Sequence, residues 1–568
     1  MNFFRLLAFL VFPLTAFAAE LPPLDLGGVR EEHMMIPMRD GTRLSAYVYR
    51  PQSAGPWPVV FEQRYAVITG TASRKELAAL AAHGYVAARV SFRGSQLSEG
   101  VWRGYRALAW GEQQDGYDLV EWFAAQSWSN GKVGTFGGSQ GGFAQNFLAV
   151  TQPPHLVCQY MTDTGLSLFH EGYRIGGAAR PERFKKMDAA RNPADNDALL
   201  KEWFRHPTYD DYWRAEDCTL HLPKMNVPCF TVGSWYDFMS VGSIDSFVGR
   251  QHRGGPNSRG KQQLVLGPWL HGGLPKGNKI GELEYPENAR FDTAAHRLRW
   301  FDHYLKGVDN GVEREPAVRY YVMGAVGESG APGNVWRTAA DWPVPAQPTL
   351  YYLHAGGKLS PTAPTSAASV TTYSSDPAQP MELPYAAFPG ARDARAFEAQ
   401  KDVRTFTTEP LNAPVEWTGK VRAELYVAST ARDTDFIAPH GRLSRWPQHP
   451  HHGLRAARAF SRRLGQGSPD GAGPGVSGFL RRRLAEPDLQ SRPSHPRDDR
   501  EHGRALLRAK PAGWRPDPDR LPRQSRRRHA HAPPRAEARL ARHRAAGAVA
   551  APLRRCRLCQ IDRTVPPA

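Results

Sequence analysis

Segments with the apolar pattern of a strand alternate with segments that have the period of a helix in the first third of this chain. Strand patterns cover 57–65, 85–94 and 132–136, and helix patterns cover 73–84 and 112–126. Strands that alternate with helices form a parallel sheet with helices on both faces. In such sheets, functional residues gather at the carboxyl ends of the strands. We therefore predict an α/β fold with its site at that edge of the sheet.

One connection between a strand and a helix is rich in glycine. The stretch "VGTFGGSQGGF" at 133–143 places Ser139 at the corner, with glycines two positions before and after it. In the pattern Gly-x-Ser-x-Gly the serine adopts a strained turn, and a side chain at either glycine would collide with the neighbouring strand and helix. The same pattern also occurs in surface loops, so the support for Ser139 as a nucleophile must come from other residues.

Two further polar residues follow apolar strands downstream of Ser139. Asp237 lies in "VGSWYDF" and His271 lies in "LGPWLHGG". A serine hydroxyl becomes a good nucleophile only when a base takes its proton and an acid orients that base. The order Ser, Asp, His, each after a strand of the sheet, is the order found in α/β hydrolases. The three residues together predict a catalytic triad.

The patterns divide the chain into successive regions. The α/β pattern of 19–165 is interrupted at 166–222 and resumes at 223–315. We interpret 166–222, which is aromatic and helix-like, as a cap that lies over the sheet and shapes a pocket. Short alternating strands fill 316–438 and predict an all-β sandwich or jelly roll, which breaks off at Ala438 and is therefore incomplete.

The sequence resembles the cocaine-esterase/NonD hydrolases, which belong with the X-Pro dipeptidyl-peptidases and the α-amino-acid ester hydrolases. The resemblance extends from about residue 30 to 438 and is carried by these motifs: "IPMRDGTRLSAYVYRP", "DGYDLVEWFAAQSWSNGKVGTFGGSQGG", "HPTYDDYW", "VGSWYDF", "LGPWLHG", "LRWFDHYLKG" and "STARDTDF". It implies an α/β-hydrolase fold with an inserted helical cap and a C-terminal jelly roll. It also implies the triad Ser139, Asp237 and His271 and no metal or organic cofactor.

The resemblance further implies an oxyanion hole. Its two donors would be the hydroxyl of Tyr65, in "EQRY", and the backbone N–H of Gln140. Each donor of this kind stabilises the transition state by roughly 3 kcal/mol in other hydrolases. The chain has Arg64 where the family often has proline, and Gln140 where tyrosine is common. Only the backbone of Gln140 is needed, so these departures concern the shape of the pocket.

These residues predict a serine hydrolase that cleaves a small ester, an amide or a short peptide through an acyl-enzyme. The alternatives within the family are an X-Pro dipeptidyl-peptidase and an α-amino-acid ester hydrolase or acylase. Both need a carboxylate for the substrate's amino group, and the cap offers Glu171, Glu182, Asp210 and Asp211. The segment around Asp237 lacks an adjacent acidic pair, which favours a plain esterase or acylase. Among functions of another class, the alternative is a non-catalytic carbohydrate-binding protein. The sequence leaves open whether the protein forms a homo-oligomer.

The N-terminus and the cysteines both fit an exported protein. Arg5 precedes an apolar run of about ten residues, and a small-x-small site ends at Ala18, so 1–18 is predicted to be a signal peptide. We therefore expect a periplasmic or secreted protein that has no membrane contact after cleavage. Five cysteines are too few for a disulfide scaffold; one bridge, for example between Cys218 and Cys229, is left open.

The basic character of the chain comes from its last part. Residues 439–568 contain 28 Arg and one Lys against ten acidic residues, so the first 438 residues carry a net charge of −1. A basic segment of this kind is typical of nucleic-acid binding, but these 130 residues contain no tyrosine and a single isoleucine. No strand or helix period persists in them, and we assign them no domain and no nucleic-acid partner.

Abundant arginine with almost no lysine is what a GC-rich gene gives in the wrong reading frame. One permitted choice of codons for 439–454 gives, in the +1 frame, a strand, a Pro-Asp-Gly turn and a second strand. We therefore predict a frameshift near Ala438. Sequencing the gene across this position tests the prediction, and an uninterrupted frame in independent reads would contradict it.

Overall fold

The computed structural model of the chain describes two compact units. The described residues are 21–175, 178–179, 189–272, 278–365, 370–380, 390–431, 434, 436, 438, 503–508 and 560–563. The first unit holds residues up to 344 and a short segment at 390–394. The second unit holds 345–380, 395–436 and the two described segments of the tail. The predicted signal peptide, 1–18, lies outside the described residues.

The first unit contains fourteen described strands, two to ten residues long. In chain order they are β1 (Arg30–Pro37), β2 (Arg43–Arg50), β3 (Trp57–Arg64), β4 (Val86–Ser91), β5 (Ser129–Gly138), β6 (Leu156–Thr162), β7 (Arg174–Ile175), β8 (Ala178–Ala179), β9 (Cys229–Ser234), β10 (Gln262–Gly267), β11 (Lys279–Ile280), β12 (Leu283–Glu284), β13 (Val318–Val322) and β14 (Val335–Ala339).

Seven described α-helices belong to the same unit. They are α1 (Thr71–Ala82), α2 (Asp115–Ala124), α3 (Gln140–Thr151), α4 (Pro193–Arg205), α5 (Asp211–Arg214), α6 (Ser240–Arg253) and α7 (Thr293–Lys306). A single π-helical turn, Leu168–Gly172, lies in the cap region. None of the helices in the described part of the chain is long and apolar enough to cross a membrane.

Ten of the strands form one sheet in the order β1-β2-β4-β3-β5-β6-β9-β10-β13-β14. In this spatial order, each strand from β4 to β13 pairs in parallel with its neighbour. The sheet is completed by antiparallel strands, which are β1 and β2 at one side and β14 at the other. The apolar side chains of α1 and α7 pack on one face, and those of α2, α3 and α6 on the other. This is the predicted α/β-hydrolase fold, and it brings the carboxyl ends of β5, β6, β9 and β10 to one edge.

Helix α7 shows how local sequence sets these elements. Asp292 precedes it and accepts hydrogen bonds from the backbone N–H groups of Ala294 and Ala295, which have no partner within the helix. Gly307 ends the helix at φ +75°, a conformation that favours glycine. Trp300 and Phe301, both fully buried, attach it to the sheet.

The two strands that follow residue 315, where the sequence predicts that the hydrolase region gives way to the β-sandwich, belong to the main sheet of the first unit. β13 pairs in parallel with β10, and β14 pairs with β13, so both strands extend the main sheet. Val318 and Tyr320 pack against Leu264 and Leu266, which fixes them in the core of the first unit. The pattern of short strands without helices identified strands correctly, but such a pattern does not say which sheet a strand joins.

The second unit is built mainly of strands, as predicted. Its described elements are β15 (Gln347–Leu350), β16 (Tyr352–Leu353), β17 (Leu359–Ser360), β18 (Val370–Ser375), helix α8 (Arg395–Glu398), β19 (Trp417–Arg422), β20 (Tyr426–Ser429), β21 (Gly503–Arg508) and β22 (Gln560–Arg563). They form sheets in the orders β15-β22-β19, β18-β21-β20 and β16-β17. Two short segments of the basic tail, for which the sequence predicted no structure, are therefore strands that pair within this unit.

The three cysteines in the described part of the first unit are free. Cys158, Cys218 and Cys229 are all buried thiols, so the bridge considered between Cys218 and Cys229 is not formed. Burial raises the pKa of all three thiols, which keeps them in the neutral, unreactive form.

Candidate active site

Ser139 occupies a strained turn between β5 and α3. Its backbone has φ +55° and ψ −110°, a region that residues other than glycine rarely adopt. Strain of this kind costs of order 1–3 kcal/mol and persists only where the surroundings enforce it. Here the backbone N–H of Ser139 donates to the carbonyl oxygens of Thr162, at 2.9 Å, and Asp163, at 3.1 Å, at the end of β6.

The glycines at 137 and 141 are required by one buried side chain. A Cβ at Gly137 would lie 2.7 Å from Glu62 Cγ, and a Cβ at Gly141 would lie 2.8 Å from Glu62 Oε1. Glu62 lies on the neighbouring strand β3 and cannot move away, because its Oε2 accepts a hydrogen bond from Arg89 Nε at 2.5 Å. The collision expected from the Gly-x-Ser-x-Gly pattern is therefore with Glu62.

Asp237 and His271 meet at the carboxyl ends of β9 and β10. His271 Nδ1 lies 2.9 Å from Asp237 Oδ2, and the Asp237 side chain is completely buried. The His271 ring stacks on Phe238, with centroids 5.5 Å apart. A carboxylate that accepts from Nδ1–H selects the tautomer whose basic nitrogen is Nε2. The pair thus has the geometry of a base and the acid that orients it.

A second carboxyl group at this point, Asp163, directly follows β6 and was not predicted from the sequence. Its side chain is fully buried and accepts hydrogen bonds from Ser234 N at 3.0 Å, Ser234 Oγ at 3.1 Å and Gly272 N at 2.7 Å. Burial, followed by the charge of Asp237, raises the pKa of Asp163 well above its usual range. Its position after an apolar strand, like that of Asp237 and His271, was a signal that could have found it.

Ligand atoms of Asp163, Asp237 and His271 all lie within 4.8 Å of one another. Oxygen and nitrogen donors of this kind are also common in metal sites. Here Nδ1 of His271 already pairs with Asp237, and Asp163 accepts from three donors of the protein. The donor set therefore fits a hydrogen-bonded chain of side chains.

Tyr65 and Gln140, the expected oxyanion donors, are connected by a side chain. Gln140 Oε1 accepts hydrogen bonds from the backbone N–H groups of both Tyr65 and Ala66, each at 2.9 Å. The Tyr65 ring packs edge-on against Trp102, with centroids 5.6 Å apart. From the sequence, a role was predicted only for the backbone of Gln140, whereas its side chain also holds the loop that carries Tyr65.

A small cleft that is partly open to solvent lies at Ser139. The described residues that line the cleft carry no charge, and three of them belong to the cap. The eight lining residues are Tyr65, Tyr105, Ser139, Phe143, Leu168, Gly172, Tyr173 and Met239. The lining of the cleft is therefore mainly aromatic and apolar, and it includes both Ser139 and Tyr65.

Three of the acidic residues that the cap offered for a substrate's amino group have partners elsewhere. Glu171 is buried and accepts from Leu166 N at 2.7 Å. Asp210 lies 2.6 Å from His206 Nδ1, and Asp211 pairs with Arg214 at the surface. None of these three lines the cleft, and Glu182 lies outside the described residues.

A nucleophile elbow, an Asp–His pair and a cleft at one edge of a mainly parallel sheet define the class of α/β hydrolases. The family model of the X-Pro dipeptidyl-peptidases (S15 family) matches residues 40–198 and 182–273, and that of the X-Pro dipeptidyl-peptidase C-terminal non-catalytic domain matches 310–439. The chain belongs to this family of serine hydrolases, the CocE/NonD and X-Pro dipeptidyl-peptidase-like enzymes.

Individual relatives agree with this placement. Cocaine esterase from Rhodococcus sp. strain MB1 Bresler is 28% identical over 474 residues, which cover 72% of this chain and 79% of that protein. An aminopeptidase from a marine sediment archaeon (Thaumarchaeota archaeon) has a TM-score of 0.63 at 22% identity, covering 88% of this chain and 92% of its own. An α-amino acid ester hydrolase has a TM-score of 0.62 at 21% identity, covering 88% and 93%. The two structures show the shared fold.

Gly137→Ala is expected to destabilise the first unit. The new Cβ meets the immobile Glu62, and the backbone φ of +128° disfavours any side chain, so the free energy of unfolding should fall by about 1–3 kcal/mol. Urea unfolding followed by tryptophan fluorescence measures the change. Gly111→Ala is the matched control, because a Cβ there meets nothing within 4 Å. Equal stabilities of the two variants would contradict the role of Glu62.

Proposed function

We propose that this chain is a periplasmic or secreted serine esterase that cleaves small esters with an uncharged acyl group. The observation that carries the proposal is the placement of Ser139. It lies in a strained turn that opens on an uncharged cleft, and the hydrogen-bonded pair of Asp237 and His271 lies at the same edge of the sheet.

In the proposed reaction, Ser139 Oγ attacks the ester carbonyl carbon while His271 Nε2 takes its proton. Asp237 holds the Nδ1–H and stabilises the imidazolium that forms. The Tyr65 hydroxyl and the Gln140 backbone N–H donate to the oxyanion of the tetrahedral intermediate. The imidazolium returns the proton to the leaving alcohol. Water then attacks the acyl-enzyme with His271 again as the base, and the acid is released.

The lining of the cleft favours an ester over a peptide with a free amino group. Burying an ammonium group without a carboxylate partner is costly. The described lining residues provide aromatic and aliphatic surface and no carboxylate, while Glu171, Asp210 and Asp211 are held by other groups. The membership in a hydrolase family also speaks for an enzyme rather than a non-catalytic carbohydrate-binding protein.

The basic tail plays no part in the proposed function. The match to the C-terminal domain of the family ends at residue 439, where the composition changes. This agrees with our proposal of a frameshift near Ala438, and a nucleic-acid partner would depend on the tail alone. Export depends on the proposed signal peptide, 1–18.

The proposal is tested by the hydrolysis of a series of p-nitrophenyl esters beside glycyl-prolyl p-nitroanilide. We expect turnover of esters with small apolar acyl groups, no cleavage of the anilide, and a loss of about 10⁴-fold or more in kcat in Ser139→Ala. Ser129→Ala, at the start of β5, is the control that keeps full activity. Cleavage of the anilide would make the protein a dipeptidyl-peptidase, and residual activity in Ser139→Ala would refute the nucleophile.

The Gln140 side chain gives a second prediction. Gln140→Met keeps the size of the side chain but loses the oxygen that holds Tyr65 N and Ala66 N. The substitution should displace an oxyanion donor without removing it. We therefore expect kcat to fall by about tenfold, which is less than the decrease of about 10²- to 10³-fold that follows the loss of a donor. Steady-state kinetics of the ester measures the change, with Gln126→Met, two residues beyond the end of α2, as the control. Full activity in Gln140→Met would show that the loop holds its position without this contact.

A further inference from the structure

We propose that Asp163 is a positioning residue of this site, a neutral carboxyl group that donates its proton to Asp237 and holds the His271 loop; this inference rests on the proposed function. Asp163 does not line the cleft, and it acts through the residues that do the chemistry. No contact between Asp163 and a substrate is involved.

The first support is the connectivity of Asp163. Its backbone carbonyl accepts from the N–H of Ser139, and its backbone N–H donates to Val232 O on β9 at 2.8 Å. Its carboxyl group accepts from the N–H of Gly272, the residue after His271, and from Ser234, three residues before Asp237. One residue thus contacts the segments that carry Ser139, Asp237 and His271.

The second support is the pairing of two buried carboxyl groups. Two ionised carboxylates side by side in a buried site repel each other strongly, so one of the two keeps its proton to a higher pH than an isolated carboxyl group does. Carboxyl oxygens of Asp163 and Asp237 lie within 4.8 Å of each other. Asp237 Oδ1 is fully buried, and no other described group donates to it. The acid proton of Asp163 is the donor that this oxygen needs.

The third support is the assignment of the proton within the pair. Burial raises the pKa of Asp163, and the charge of Asp237 raises it further, against the lowering effect of the hydrogen bonds from Gly272 and Ser234. Asp237 instead faces His271, which gains a proton during the reaction. Two ionisable groups, Asp237 and His271, lie beside Asp163, and its side chain also accepts hydrogen bonds from Ser234 and Gly272.

This arrangement has a functional consequence. A hydrogen bond from Asp163 disperses part of the negative charge of Asp237 and fixes the orientation of its carboxylate toward Nδ1. Without that bond, Asp237 would act on His271 with its full charge and would be free to rotate. The protonated imidazole would then be stabilised, and the base would be lost at a higher pH.

The test uses Asp163→Ala and Asp163→Asn in the full chain. In Asp163→Ala we expect kcat to fall roughly 10- to 100-fold, as it does when reacting groups are slightly misplaced. KM should stay within about threefold of the value of the unsubstituted protein, because Asp163 does not line the cleft. The acid limb of the kcat/KM profile should move to higher pH. Asp163→Asn, whose amide can donate to Asp237, should keep kcat within about tenfold and leave the limb in place. Asp118→Asn, at a surface pair with Arg39, is the control.

A second readout separates this inference from the proposed function. The Nδ1–H proton of His271 gives a far-downfield NMR signal that can be followed against pH without any substrate. In Asp163→Ala the pH at which this signal changes should move upward, and in Asp163→Asn it should not. This measurement decides the role of Asp163 even if no ester is turned over, whereas only Ser139→Ala and the ester series decide the proposed function.

Four outcomes would overturn the inference. A shift of both limbs to lower pH in both variants would mean that Asp163 is ionised in the native protein, because a negative charge would have been removed. An unchanged kcat and profile in Asp163→Ala would mean that it positions nothing. A rise in KM alone would assign it to the pocket. Inactivation of Asp163→Asn to the level of Asp237→Asn, about 10⁴-fold, would make Asp163 the acid of the triad.

Discussion

The buried ion pair of Glu62 and Arg89 is the contact on which the candidate site depends. Glu62 lies directly behind the turn at Ser139, and both of its partners in the turn, Gly137 and Gly141, lack a side chain for that reason. Arg89 holds Glu62 and also binds Glu76 on α1, which in turn binds Arg297 on α7. Removing one partner of a buried ion pair costs about 3–5 kcal/mol. Glu62 is therefore held in place by Arg89, and its fixed side chain leaves room only for glycine at the positions on either side of Ser139.

Much of the first unit could be predicted from the sequence because its local signals are strong. The hairpin of β1 and β2 turns at Arg39-Asp40-Gly41, and α7 ends at Gly307; glycine at both places is a local signal for a turn or a helix end. Helix α6 was not predicted. Its sequence is rich in glycine and serine because it packs closely on neighbouring backbone: a Cβ at Gly242 would lie 2.5 Å from Thr164 O. Small residues that allow a close approach remove the apolar period by which a helix is recognised.

The candidate site was partly predictable for a related reason. Residues such as Asp237 and His271 follow apolar strands and stand in a known order, so the chain itself indicates them. Asp163 follows a strand in the same way, but no expected role called for a fourth residue. The side-chain contact of Gln140 with Tyr65 and Ala66 joins residues about 75 positions apart. Contacts of this kind depend on which loops meet at the sheet edge, and periodicity carries no information about that.

The carboxyl groups of the site do not line the cleft. Glu62, Asp163 and Asp237 are buried, whereas the residues that line the cleft at Ser139 are uncharged and mainly aromatic or aliphatic. A carbonyl substrate in the cleft therefore meets no fixed anion that would oppose a developing oxyanion, and the low dielectric there strengthens hydrogen bonds to it. In the proposed arrangement, Asp163 and Asp237 share one proton, so that a single negative charge faces His271. A second charge would hold the proton on the imidazole and remove the base. An uncharged cleft beside a singly charged carboxyl pair would therefore allow one histidine both to accept and to return a proton in the proposed reaction.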